Sequence, residues 1–279
     1  MSLGWENGAN AYASAFTTLA YDVSILPLSN FLIAMDQGLP VVGIPVFTDC
    51  FFPQMAIRVN KAAGINTPKD LEGKRIGVRG FAFNPAVWVR GGLADLYGFD
   101  FTKTDWKSAE PNSMSNVDIP TLPGVAIEKG AYDFVADLES GKLDAVMWDR
   151  GGVDVTANTA NLFADPLAAV QAYFKQTSVF PLNTMLIAKR EVLDANPGLG
   201  EAVVDASNKA QSLFLENLAD DSSYMGMPVK WLRENGMMSL RNGISHNRTA
   251  LETIIRYANE QGIISNAPVV EDLFFAGAV

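Results

Sequence analysis

Short apolar runs alternate with amphipathic stretches along most of the chain, the pattern of a mixed α/β protein. Residues 22–28 predict a buried strand, followed by a helix that opens at Ser29 or Asn30 and closes at Gly38. Residues 39–47 and 55–59 predict two further strands. Thr67-Pro68-Lys69-Asp70 reads as a compact helix start, with a capping hydroxyl, proline at the first position and an acid in the first turn. After a strand at 74–78, a helix begins at Asn84-Pro85, carries Val89, Leu93, Leu96 and Tyr97 on one face and ends at Gly98. Residues 108–124, rich in Pro, Ser and Asn, are expected to form a long loop. A helix at 132–140 and strands at 143–148 and 184–188 come next. Beyond them the chain turns helical. Leu199, Val203, Ala206, Ala210 and Leu213 are expected to form one buried stripe, and Leu251, Ile254, Ile255 and Ala258 another.

The strands fall into two groups with a late return, which predicts an α/β fold of two lobes. Residues 1–79 form the first part of lobe 1, 80–182 form lobe 2, and 183–279 return to lobe 1 with the C-terminal helices. Such lobes hold ligands in the cleft between them, at the carboxyl ends of strands and the N-termini of the helices that follow. That rule points to Leu28-Ser29-Asn30, to residues 79–85, to Asp149-Arg150 and to residues 181–184.

Composition narrows the chemistry. With 48% hydrophobic and 19% charged residues over 279, there is material for a core and none of the signature of disorder. A net charge of −10 argues against nucleic acid or an anionic membrane as partner, since both require a basic surface. The longest apolar stretch, around 23–35, is interrupted by Pro27, Ser29 and Asn30 and is too short to span a bilayer. A single cysteine, Cys50, excludes an internal disulfide, and a single histidine, His246, excludes a multi-histidine metal site. Dinucleotide, P-loop and serine-hydrolase motifs are absent, and no cofactor is expected. The first residues show no secretory leader. The chain reads as cytoplasmic as written, or periplasmic if a leader precedes it.

The richest local feature is Arg79-Gly80-Phe81-Ala82-Phe83-Asn84-Pro85, which joins a strand end to a helix start. Free amides and the helix dipole there favour an anion, and two phenylalanines would wall a flat ligand. The other reading is a plain helix start with both rings in the core. Trp88, Arg90 and Trp148-Asp149-Arg150 add aromatic and cationic groups. Arg90 is assigned a structural role. Arg150 is assigned to ligand carboxylate, with Asp149 or Asp154 as its alternative partner. His246, before Asn247-Arg248, is the candidate proton donor, against a reading as a surface or capping residue. Cys50 reads as an apolar-like residue rather than a thiol paired with histidine, and the Asn247-Arg248-Thr249 sequon is discounted.

The run Gly64-Ile65-Asn66-Thr67-Pro68-Lys69-Asp70-Leu71-Glu72-Gly73-Lys74-Arg75-Ile76-Gly77-Val78 resembles the shared signature of periplasmic-binding-protein-like type II folds. Its continuation, Val87-Trp88-Val89-Arg90-Gly91-Gly92-Leu93 with Tyr97-Gly98, is similar to the 4,5-dihydroxyphthalate decarboxylase family and its unassigned relatives. Tyr21-Asp22-Val23-Ser24, the segment from Gly124-Val125 to Leu143-Asp144-Ala145, and Asn247-Arg248 with Leu251-Glu252, Arg256-Tyr257 and Glu260-Gln261-Gly262 agree in order. The chain departs from the family at Asn84-Pro85, where members carry Thr-Ala or Thr-Thr, and at Asp49-Cys50-Phe51-Phe52-Pro53, where they carry a basic or histidine-bearing segment. Tyr21-Asp22-Val23-Ser24 corresponds to the family's second strand, so the first strand and helix are expected to be missing.

The resemblance implies a cofactor-independent decarboxylase for a hydroxylated aromatic carboxylate. Arg150, Arg79 and the Asn84 helix end would anchor carboxylates, Phe81 and Phe83 would flank the ring, and His246 would supply the proton. Ser29, Asn30, Gly80 and Asn183 complete the expected binding set. The alternative on the same fold is a solute-binding protein that delivers a small organic anion to a transporter permease. A homo-oligomer is left open.

Overall fold

The computed structural model describes residues 8–109, 122–147, 153–238 and 241–278. Nine helices of α type and two main sheets occur among them. A helix, α1 (Gly8–Thr17), precedes the first strand, β1 (Val23–Pro27). Helix α2 (Leu28–Asp36) follows β1 directly, and β2 (Val41–Cys50) runs three residues past its predicted end. Both strands pair antiparallel with β9 (Leu182–Lys189), in the order β1-β9-β2. Every residue of β2 from Val41 to Phe47 is buried. At Gly43 a side chain would meet Leu273, Met185 and Phe274 at 2.9 Å, so the C-terminal segment lies directly on this strand.

The second sheet has six strands: β3 (Ile57–Asn60), β4 (Arg75–Val78), β5 (Asp105–Ala109), β6 (Ala126–Gly130), β7 (Ala145–Met147) and β8 (Thr159–Asn161). Their order is β6-β5-β4-β7-β3-β8. Strands β4, β5, β6 and β7 are parallel, and β3 is antiparallel to both its neighbours. Strands β3 and β4, which the sequence reading put in lobe 1, thus belong to the larger sheet. The chain changes sheet between Cys50 and Ile57 and returns at Leu182, rather than crossing after Arg79.

Local signals account for the start of this sheet. Thr67 and Asp70 form a capping box on a short 3-10 turn, with Asp70 Oδ2 accepting from Thr67 N at 2.8 Å. Helix α3 (Asn84–Tyr97) has Pro85 in its first turn and ends on Gly98 in the left-handed conformation, φ 64°. Asp133 caps α4 (Phe134–Glu139) by accepting from Ala136 N. Helices α5 (Pro166–Thr177) and α6 (Arg190–Ala195) flank β9 in sequence.

Helix α7 (Leu199–Glu216) departs from the predicted stripe. Val203 and Val204 pack on Ile44 and Val46, whereas Ala206, Ala210 and Leu213 face solvent. The helix touches the sheet along a strip too narrow for the whole periodic set. A short α8 (Val229–Glu234) leads to α9 (Ile244–Glu260), whose Leu251, Ile254, Ile255 and Ala258 are buried as expected. Among the described residues, no helix is long and apolar enough to cross a membrane.

Each sheet has its own apolar core, and α3 serves both. Val87 and Trp88 pack with Phe31, Leu182, Leu251 and Tyr257, while Ala86, Val89 and Leu93 pack with Ile76, Val78 and Trp106. Trp88 and Trp106 are fully buried, one in each core. Burial of such side chains is worth about 2–3 kcal/mol apiece.

Candidate functional site

The carboxyl ends of β1 and β2, the first residues of β9 and the N-terminus of α3 meet at one place. Ser29, in the first turn of α2, donates its backbone N–H to Asn84 Oδ1 at 2.9 Å and its hydroxyl to Ala82 O at 2.8 Å. Asn84 Nδ2 donates to Leu182 O at 2.9 Å and to Asn183 Oδ1 at 3.2 Å. Asn183 Nδ2 in turn donates to Asp49 Oδ2 at 3.0 Å. Ser29, Asn84 and Asn183, three positions chosen from sequence, therefore form one hydrogen-bonded node across the two sheets. Asn30 is buried beside Ser29, and Asn84 is wholly inaccessible.

The carboxamide of Asn84 accepts from the Ser29 amide at the start of α2. It satisfies an amide that the helix itself cannot. The loop before it closes on itself, since Phe83 N donates to Gly80 O at 3.1 Å. Phe81 and Phe83 are 6% and 4% exposed and belong to the core of the larger sheet, so these rings pack the lobe rather than wall an open cleft. Arg79 is partly exposed, with its guanidinium over the Phe83 ring at 5.3 Å.

Around the node lie groups that the sequence reading did not place in the binding set. Thr48 and Thr184 share a hydroxyl–hydroxyl hydrogen bond of 2.7 Å. Tyr12 of α1 packs against both cores. Burial raises its phenol, and the charge of Asp49 raises it further. Asp49 was legible as a departure from the family pattern at a strand end. Tyr12 was not placed, because the sequence pattern gives no element before residue 21.

His246 is exposed in the first turn of α9, whereas Asn247, Ala250 and Leu251 of the same helix are buried. The Asn247 amide donates to Arg241 O and Gly243 O, which closes the helix start. Cys50 is fully buried with its thiol against Met225 Sδ, whereas His246 is exposed. Arg150, with Trp148 and Asp149, lies outside the described residues.

The motif residues that carry the family resemblance meet in a second place, the seam between α3 and α9. Trp88 and Tyr257 are in edge contact at 5.7 Å, and Gly91 faces the Tyr257 ring, where a Cβ would lie 2.3 Å from it. Tyr257 donates to Asp95 Oδ2 at 2.7 Å, and Arg256 forms a salt bridge with the same carboxylate at 2.5 Å. Burial acts to raise the Asp95 carboxyl, but hydrogen bonds from Arg256 and Tyr257 outweigh it and hold the group below its usual range. Deeper in the seam, Arg90 is fully buried, and Gln261 Oε1 accepts from its Nε at 2.8 Å. Burial alone pulls the Arg90 pKa down to about 9, which leaves it a cation at neutral pH.

The periplasmic aliphatic sulphonate binding protein SsuA of Escherichia coli matches over 94% of this chain and 82% of its own, with a TM-score of 0.54 at 15% identity. The chain has the two-lobed, periplasmic-binding-protein-like type II fold. The alkanesulfonate-binding protein SsuA of Xanthomonas axonopodis pv. citri, bound to MOPS, shares this fold with a TM-score of 0.51 at 14% identity, over 96% of this chain and 84% of that one. A family model described as NMT1/THI5 like matches residues 7–103, which include Ser29, Asp49 and Asn84.

In sequence, this binding-protein-like chain resembles proteins named 4,5-dihydroxyphthalate decarboxylase. The one from Comamonas testosteroni is 28% identical over 222 residues, covering 75% of this chain and 66% of that protein, just under two thirds. The one from Pseudomonas putida is 28% identical over 173 residues, 59% of this chain and 67% of that protein.

Proposed function

We propose that this chain binds a small hydroxylated aromatic carboxylate between its lobes and decarboxylates it without a cofactor. The observation that carries the reading is the convergence of Ser29, Asn84, Asn183 and Asp49 at the strand ends, in a chain whose relatives are named 4,5-dihydroxyphthalate decarboxylase. In a 4,5-dihydroxyphthalate-like substrate, each carboxylate is para to a ring hydroxyl. Protonation of the ring carbon bearing the carboxylate, with the para hydroxyl passing its proton to the acceptor that holds it, gives a dienone-like intermediate. Loss of CO₂ returns the bond electrons to the ring and leaves the added proton in the product, 3,4-dihydroxybenzoate. The hydroxyl takes its own proton back once CO₂ has left. The protein must bind the retained carboxylate, accept hydrogen bonds from the hydroxyls and supply one proton. Asp49 is the acceptor at the node, Arg79 and Arg150 are the carboxylate anchors, and His246 is the proton donor in this scheme.

The exposed position of His246 favours a second reading, capture of the same anion for a transporter without chemistry. A thermal-shift panel of 4,5-dihydroxyphthalate, phthalate, 3,4-dihydroxybenzoate and an alkanesulphonate tests the ligand class. A ligand of the folded state at about 100 times its Kd adds about 2.7 kcal/mol of stability. The dihydroxylated acids are expected to raise Tm most, and a response to the sulphonate alone would overturn the assignment. His246→Ala is expected to keep stability within about 0.5 kcal/mol and to abolish CO₂ release. Full turnover in that variant would remove His246 from the mechanism.

A further inference from the structure

Arg90 is the most deeply placed cation of the described chain, 0% exposed, and none of its described partners is a carboxylate. Nε donates to Gln261 Oε1 and Nη2 to Phe81 O, at 2.8 and 2.5 Å, while Nη1 has no acceptor among the described residues. The guanidinium lies over the Phe81 ring, 3.9 Å from its centroid, and 5.3 Å from that of Trp106. A buried cation without a counter-charge is costly, and an apolar side chain of the same volume would fill the space at lower cost. An apolar side chain could not, however, hold Phe81 by its ring and its carbonyl together and reach the end of α9 in the same plane. Gln261 completes the link by donating from Nε2 to Val87 O at 2.9 Å.

Phe81 immediately precedes Ala82, whose carbonyl accepts the Ser29 hydroxyl, and lies three residues before Asn84. We infer that Arg90 is the positioning residue of the candidate site: its planar fork fixes loop 79–84 against α3 and α9, and so sets where Asn84 and Ser29 meet. The inference rests on the reading that this node binds the ligand. Lysine cannot substitute, because an ammonium neither stacks on the ring nor spans both acceptors.

Hydrogen exchange by mass spectrometry on the full chain, comparing wild type with Arg90→Lys and Gln261→Met, tests it, with affinity for 4,5-dihydroxyphthalate measured alongside. Amides of 79–87 are expected to exchange about ten-fold faster in Arg90→Lys, in proportion to the loss of a charged hydrogen bond. Gln261→Met should give a smaller increase in the same segment, while β9 keeps its protection. Affinity for 4,5-dihydroxyphthalate should fall about ten-fold in Arg90→Lys. Unchanged protection of 79–87, or an equal rise in every segment, would overturn the positioning role. Where Arg90→Lys does not fold, Gln261→Met decides by the same criterion. Absence of binding by the wild type would defeat the proposed ligand and leave the exchange result to decide the role of Arg90.

Discussion

Asn84 links three chain segments through one carboxamide, and its loss has a definite location. Asn84→Ala leaves the buried Ser29 N–H without an acceptor, whereas Leu182 O keeps the Trp88 Nε1 donor at 2.9 Å. Stranding one buried donor costs about 2 kcal/mol, so the urea midpoint should fall with an unchanged slope. An unaltered midpoint would show that the node carries no load. At this scale the sequence was informative where chemistry follows a strand end. Ser29, Asn84 and Asn183 each adjoin a strand or helix boundary that the hydrophobic pattern marks. The burial of Phe81 and Phe83 was not legible, because a loop phenylalanine has the same local signature facing a ligand or facing Trp106. Arg90 was assigned a structural role, but the loop it holds becomes visible only in three dimensions.

Helices α3 and α9 behave as one unit, and two adjacent glycines separate the causes. Gly91→Ala would drive a methyl into the Tyr257 ring at 2.3 Å and should destabilise by about 2–3 kcal/mol. Gly92 has its nearest neighbours, Pro53 and Tyr173, at 3.9 Å, so Gly92→Ala should be neutral or stabilise by up to about 1 kcal/mol. Equal effects in thermal unfolding would contradict the seam.

The Asp95 carboxyl gives the seam a pH dependence. Its folded pKa is depressed, so its contribution is present above the unfolded value of about 4 and is lost as pH falls through the folded one. The stability gap between wild type and Asp95→Asn should narrow below about pH 4. A constant gap would mean that Asp95 is not held by Arg256 and Tyr257.

Helix ends were legible at this scale, at Thr67-Asp70, Pro85 and Gly98, because caps are local chemistry. Strands β5 and β6 were not, since Asp105–Ala109 and Ala126–Gly130 interleave polar residues with few apolar ones. The α7 stripe failed for the opposite reason: apolar period was present, but the partner surface was narrow.

At the scale of the whole molecule, the two-lobed fold was readable from the grouping of strands, but the crossover was not. Periodicity cannot say that Ile57–Asn60 and Arg75–Val78 pair with strands far down the chain, because pairing is set by non-local contacts. The net charge of −10 sits on a protein whose proposed ligand is an anion, so the cations that matter must be local. Arg79 lies over the Phe83 ring, next in sequence to Asn84, and Arg90 holds the same loop from within the core. The most direct measurement is CO₂ release from carboxyl-labelled 4,5-dihydroxyphthalate by the purified chain at saturating ligand. The account predicts one CO₂ and one 3,4-dihydroxybenzoate per substrate consumed. Saturable binding with no labelled CO₂ across a range of pH would contradict the decarboxylase reading and leave a binding protein.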